Sequence, residues 1–283
     1  MNHPRRLSFS LLILLSTLLC YVFSLSRAEA SDFRSRAHHK AFDESTQSDV
    51  VAEIEFGQTI AARLLGGISL NDNYNLTHYV SLVGKSLARN CGRPELEFHF
   101  GVLDMEKVNA YSTPGGYIFV SLGAIKLMKD ESELAAVLAH EIAHITQKHI
   151  VNEFNIKGKD DSTVSGVTRI IGGSSDSARV AFFQAVDKAM ELLLEKGFKH
   201  SDELESDQVA TLLLAQTGYD PSALKRFLQR EIQASEQNSA LRSSTHPPTT
   251  ERLDALNAVL ESEGLNDIEL ARGAKRFQQY VAR

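Results

Sequence analysis

Residues 134–148, Leu-Ala-Ala-Val-Leu-Ala-His-Glu-Ile-Ala-His-Ile-Thr-Gln-Lys, constrain this chain more than any other stretch. The run is mostly apolar, has no proline, and reads as a buried helix bearing His140, Glu141 and His144. At 3.6 residues per turn, positions four apart lie about 40° apart on a helix. His140 and His144 therefore project from one face, where two imidazoles can reach one metal ion. Glu141 lies about 100° round from His140, placed to hold a water beside that ion but poorly placed to be a third ligand. Alanines fill the positions where a neighbouring element or a metal must come close. This is the spacing of a His-Glu-x-x-His zinc helix. The alternative is two core histidines satisfied by hydrogen bonds, with the glutamate turned to solvent. His149 falls about 140° from His144 and cannot share that metal from a straight helix. It is expected to cap the helix C-terminus, where the dipole favours it.

A zinc ion held by two histidines needs a third protein ligand and keeps one position open. Residues 201–207, Ser-Asp-Glu-Leu-Glu-Ser-Asp, open a helix predicted over 202–216, with Gly218 after it. Glu203 and Asp207 are one turn apart and share a face. If that face points at the metal, Glu203 ligates zinc and Asp207 accepts a hydrogen bond from the outer nitrogen of a ligand histidine. Glu205, on nearly the opposite side, and His200 remain alternative third ligands. Farther on, His246 precedes Pro247 and Pro248 in a stiff loop that runs into a helix. It can approach the metal from the open side, as a fourth ligand or as a hydrogen-bond donor to a transition-state oxyanion. Arg252 can serve the same anion. The alternative for His246 is a surface loop.

The rest of the chain supplies a compartment and a scaffold. Residues 1–8 carry Arg5 and Arg6, residues 9–25 are strongly apolar, and Ala28-Glu29-Ala30 comes next. That order predicts a secretory signal peptide over 1–30; an uncleaved anchor in the inner membrane is the alternative. Residues 31–49 read as a flexible leader. Cys20 leaves with the signal, so Cys91, expected in a loop, has no internal disulfide partner. The net charge of -6 is mild and no basic stripe suggests nucleic acid.

Helices are predicted over 50–65, 76–88 and 122–128, and strands over 96–102 and 117–121, with residues 109–116 as a loop. The strand carrying Gly116, Tyr117, Ile118 and Phe119 lies just upstream of the metal helix. It could pair with an extended substrate, or it could be an ordinary core strand after a tight turn. Residues 158–200 form an insertion, either a lid or a spacer. The expected fold class is α+β and predominantly helical, zincin-like, with a small sheet beside the active-site helix. One metallopeptidase domain spans 50–262, and a C-terminal helix spans 263–283.

Several segments together resemble a known family: Asn109-Ala110-Tyr111 with Pro114-Gly115-Gly116-Tyr117-Ile118, then residues 132–144, Glu203-Leu204-Glu205-Ser206-Asp207, Gly218-Tyr219-Asp220-Pro221 and Thr245-His246-Pro247. The chain resembles the zinc metallopeptidases that include the HtpX membrane proteases, the CAAX prenyl proteases and the mitochondrial Oma-type proteases. It is most similar to their periplasmic, BepA-like branch. The resemblance implies a gluzincin with one zinc ion (Zn2+) per chain, held by His140, His144 and Glu203, and Glu141 as catalytic base. In that branch the histidine matching His246 can occupy the water position and hold the enzyme latent. The roughly thirty residues after Arg252 are too few for the branch's C-terminal helical repeats. The resemblance further implies a zinc endopeptidase of a Gram-negative periplasm. Its partners would be polypeptide substrates, unfolded or misassembled outer-membrane or envelope proteins, with peripheral membrane contact possible. The other expectation is a zinc-binding chaperone or assembly protein with little turnover.

Overall fold

Thr46 opens the first helix, α1 (Gln47–Gly67), with a reciprocal cap. Its hydroxyl accepts from the Asp49 amide, and the Asp49 carboxylate accepts from the Thr46 amide, which satisfies two donors that a helix start otherwise leaves orphaned. The Asn73 side chain caps α2 (Tyr74–Ala88) by accepting from the Leu76 amide. This computed structural model describes residues 46–158, 176–239, 243, 245–266, 268 and 270–281. The expected signal peptide, the leader up to residue 45 and residues 159–175 of the insertion lie outside the described residues. Among the described residues, no helix is long and apolar enough to cross a membrane.

Three strands come after α2: β1 (His99–Leu103), β2 (Ala110–Thr113) and β3 (Tyr117–Ser121). Then come α3 (Leu122–Leu127), α4 (Glu131–Thr146), α5 (His149–Glu153), α6 (Asp176–Glu191), a π-helical turn (Leu192–Lys196), α7 (His200–Thr217), α8 (Ala223–Gln237), α9 (Thr250–Ser262) and α10 (Ala274–Val281). The fold is α+β and mostly helical, as expected.

The sheet order is β1–β3–β2, with β3 parallel to β1 and antiparallel to β2. This corrects the reading of Gly116, Tyr117, Ile118 and Phe119 as a substrate strand. Strand addition needs an open edge, and β3 is the middle strand, paired on both sides. The edge strand beside α4 is β2, which lies inside the expected loop. All four residues of β2 are buried, so no alternation of polar and apolar residues marked it. Gly115 and Gly116 have φ of 78° and 101° and make the β2–β3 turn. A Cβ on Gly116 would lie 2.4 Å from the Glu97 carbonyl oxygen, so the glycines serve the turn and not a ligand.

Both faces of the sheet are buried. Phe100, Val102, Ile118 and Val120 join a large core with α2, α4, α7 and α8, while Leu103, Tyr111 and Phe119 join a smaller one with α1 and α6. Cys91 sits in the bend after α2, as expected, but is buried in the larger core, and burial pushes its thiol up to about 11. α1 crosses the β2–β3 turn at Gly57, where a Cβ would lie 1.6 Å from the Pro114 carbonyl oxygen. Gly57→Ala should therefore destabilise the fold by about 2–3 kcal/mol through forced overpacking, read as a lower denaturant midpoint at unchanged slope.

Every residue of α4 is buried, including its acidic first turn. Those charges are met from three other helices. Glu131 accepts from the hydroxyls of Tyr79 (2.6 Å) and Tyr219 (3.0 Å) and from Arg276. Arg230 of α8 donates to Glu133, and Arg226 pairs with Asp130 at 2.9 Å. Of the C-terminal helix expected over 263–283, α10 forms only Ala274–Val281; its Phe277 is buried and its Tyr280 ring stacks on Tyr79 at 4.2 Å. The helix that carries His140 and His144 is thus fixed at its N-terminal end by α2, α8 and α10.

Candidate metal centre and active site

α4 directs the Nε2 atoms of His140 and His144 toward each other, 3.1 Å apart. From α7, Glu203 brings Oε1 to 3.3 Å from His144 Nε2 and Oε2 to 3.5 Å from His140 Nε2. Metal–nitrogen bonds of about 2.0 Å at tetrahedral angles set donor atoms about 3.3 Å apart, so these three edges fit one small ion. His246 completes a cluster of four buried side chains whose offered donor atoms lie within 4.8 Å of one another. Its Nδ1 is 2.8 Å from Glu203 Oε1 and its Nε2 is 3.7 Å from Glu141 Oε1. That Nε2 is buried and has no hydrogen-bond partner. Three imidazoles and a carboxylate form a donor set suited to zinc.

The shared face of Glu203 and Asp207 on α7 decides what stands behind these donors. Asp207 Oδ1 lies 2.9 Å from His140 Nδ1. Glu205, on the other side of α7, lies 3.1 Å from His149 Nε2 and away from the cluster. His200 is also away from it, 3.2 Å from Glu251.

Arg252 departs from its expected role. Its guanidinium donates to both Asp207 oxygens, from Nε at 2.8 Å and Nη2 at 2.7 Å, and Nη1 sits 2.8 Å from Glu203 Oε2. Nη1 also approaches the carbonyls of His246 and Pro247. Two buried carboxylates hold it behind the cluster, so it is a brace for the donors and not a free cation facing a substrate oxyanion.

His149 differs too. Lys148 takes a left-handed conformation (φ 58°) and breaks the helix, which turns His149 back so that its Nδ1 lies 2.9 Å from His144 Nδ1. The straight-helix geometry excluded His149 from the cluster but missed this contact, and the helix C-cap is Gln147.

Charge in the site depends on these contacts. Burial raises the carboxyl pKa of Glu203, but His246 and Arg252 outweigh it and hold it well below the usual range. Asp207 is lowered likewise, mainly by Arg252 working against burial. Burial disfavours protonation of His140, yet the Asp207 and Glu203 carboxylates win and push it up to about 9. For His144 burial dominates, and its pKa falls well below the ordinary value. Three buried carboxylates, Glu141, Glu203 and Asp207, gather around one permanent cation, Arg252, so without a metal the charge of the site is balanced by protons on His140 and His246.

Glu141 is fixed by a residue that the sequence did not single out. Ser112 of β2 donates its hydroxyl to Glu141 Oε2 at 2.7 Å, leaving Oε1 toward His246. The loop of His246 hangs on a residue of the family-like segments whose role was not legible in the sequence. Asn109 Oδ1 accepts from the hydroxyls of Ser243 (3.2 Å) and Thr245 (3.1 Å), and Ser243 Oγ accepts from the His246 amide (3.1 Å). His246 is therefore no surface histidine. The described end of the insertion reaches the same place: the Phe198 ring stacks on His144 at 4.0 Å.

Two pockets flank the site along β2. Val108, Val137, Leu224, Phe227 and Leu228 wall one of about 380 Å³ that also touches Ala110, His140, Glu141 and His246. The other, about 190 Å³, is lined by Ser112, Thr113, His144 and Lys148 among others.

Residues 75–260, from α2 to α9, match peptidase family M48. The chain belongs to this family. The M48 match includes all four clustered donors, Glu141, Ser112, Asp207 and Arg252. Among curated relatives, the chain is 27% identical over 214 residues to the "Beta-barrel assembly-enhancing protease" of Escherichia coli, covering 72% of this chain and 43% of that protein. It is 32% identical over 180 residues to the "Mitochondrial metalloendopeptidase OMA1" of Schizosaccharomyces pombe, covering 62% of this chain and 51% of that protein. The alignments thus cover about half or less of these relatives' lengths.

Proposed function

We propose that this M48 chain is a zinc-dependent endopeptidase of the periplasm that cleaves unfolded or misassembled envelope proteins and rests closed by His246. The observation that carries the reading is the meeting of His140, His144, Glu203 and His246 beside a Glu141 held by Ser112. Zinc bound by His140, His144 and Glu203 would polarise the scissile carbonyl and make a neighbouring water acidic enough to react near neutral pH.

The chain's own residues do the rest. Glu141 accepts the water's proton on Oε1 and returns it to the leaving amine, while Ser112 keeps the other oxygen in place. Asp207 orients the His140 ring, and Arg252 keeps Asp207 and Glu203 ionised. The Ser121 amide donates to the Asn109 carbonyl, so antiparallel alternation turns the main-chain groups of Ala110 and Ser112 to the outer edge of β2. An extended substrate pairs there, its side chains entering the two flanking pockets. Export is supported by the signal-like order of residues 1–30, and the envelope substrate by the name of the E. coli relative.

The position of His246 also favours a second reading, an assembly protein with little turnover. One assay separates the two: cleavage of an unfolded protein by zinc-loaded wild type and His246→Ala, each with and without a chelator. The protease reading expects chelator-sensitive cleavage, about tenfold faster in His246→Ala because the closed population is lost. Cleavage that ignores the chelator contradicts the zinc mechanism. Silence from both proteins favours the non-proteolytic reading.

A further inference from the structure

We infer that His149 and Glu205 form a two-link support behind His144 that sets how tightly the chain holds its metal. Such a support presupposes the proposed zinc site. His144 Nε2 faces the donor cluster, 3.1 Å from His140 Nε2 and 3.3 Å from Glu203 Oε1. A neutral imidazole that ligates through Nε2 carries its proton on Nδ1. That Nδ1 lies 2.9 Å from His149 Nδ1, so His144 donates and His149 accepts. His149 then carries its own proton on Nε2, which lies 3.1 Å from Glu205 Oε2. The direction of both hydrogen bonds is fixed by the first ligand atom.

The two ligand histidines are thus supported differently. Behind His140 stands a carboxylate directly, Asp207, whose charge Arg252 balances. Behind His144 stands a neutral ring, and the carboxylate comes one residue later, on a glutamate whose side chain is 32% exposed. Several features hold the relay in register. The left-handed Lys148 aims His149 back at α4. The Phe198 ring stacks on His144 and packs against His149, centroids 6.1 Å apart, which restrains both rings. α7 supplies Glu203 to the donor cluster from one side and Glu205 to the relay from another. Partners behind a ligand histidine orient its ring and raise its basicity, and removing one costs about 10–100-fold in metal affinity.

His149 and Glu205 are positioning residues, and the test reads the metal and not the turnover. Zinc affinity of the purified full chain would be measured by competition with a chromophoric chelator, alongside the visible spectrum of the cobalt-substituted protein. His149→Phe keeps a ring in the packing and removes the acceptor; Glu205→Gln leaves the packing and removes the charge. We expect His149→Phe to bind zinc about 10–100-fold more weakly, Glu205→Gln to lose several-fold, and both to shift the cobalt bands, with the metal-free melting temperature of Glu205→Gln unchanged. Wild-type affinity and spectrum in both variants would overturn the relay and leave His149 as packing alone. If His149→Phe also destabilises the metal-free protein, Glu205→Gln decides, and wild-type affinity there overturns the relay. A wild-type chain that binds no zinc would overturn the metal centre and the relay with it.

Discussion

Glu141→Gln is expected to lower peptide cleavage by about a thousandfold or more while leaving the zinc in place. The substitution is nearly isosteric. The glutamine carbonyl can still accept from the Ser112 hydroxyl, so the side chain keeps its position. What it loses is the ability to take a proton. A thousandfold corresponds to about 4 kcal/mol of barrier, the range general-base removal commonly costs. Glu141 makes none of the closest contacts of the donor cluster, which run among His140, His144, Glu203 and His246. Zinc per chain, measured by atomic absorption, should therefore equal that of wild type. Cleavage that survives in the variant would contradict the proposed base. Loss of zinc together with activity would mean that Glu141 is a ligand.

The second large effect is on stability. Arg252→Met should cost about 3–5 kcal/mol, because it removes one partner of a buried ionic group and leaves the other charged. Here the stranded groups are two carboxylates, Glu203 and Asp207, both fully enclosed. The pH dependence is set by linkage. In wild type both carboxyl pKa values are depressed, so their stabilising contribution is present above the unfolded carboxyl range and is lost as pH falls through the folded values. Without the guanidinium, both carboxyls lose a cation that offsets their burial, both values rise, and the variant is most penalised near neutral pH. The deficit relative to wild type should shrink on going from about pH 7 to about pH 5. Urea unfolding of the metal-free proteins at the two pH values measures this. Arg252→Lys should rescue only part, since an ammonium cannot donate in parallel to both Asp207 oxygens. An Arg252→Met protein with wild-type stability and zinc content but slow turnover would instead restore the oxyanion role.

The helix-borne half of the site was legible because helix periodicity is local. His140 with His144, and Glu203 with Asp207, are each pairs one turn apart, and a shared face needs no tertiary knowledge. The sheet-borne half was not. Ser112 meets Glu141 from a four-residue strand buried on both faces, which carries no periodic signal. Asn109 holds the His246 loop across more than 130 residues of chain, and its amide looked like an ordinary loop residue. Placing β3 in the middle of the sheet depends on pairing order, which no single strand states. Arg252 was placed at the site, but its orientation was set by two carboxylates on α7 that sequence spacing could not connect to it. His149 stays outside the donor cluster, as helix geometry requires, but its contact with His144 depends on a helix break at Lys148, and a lysine in the left-handed region has no sequence signature.

Zinc-edge anomalous diffraction from crystals of the zinc-loaded chain tests the central claim most directly. One strong peak per chain is expected, about 2.0–2.2 Å from His140 Nε2, His144 Nε2 and one Glu203 oxygen. A peak lying instead on His149 and Glu205, or none near α4, would contradict the proposed metal centre.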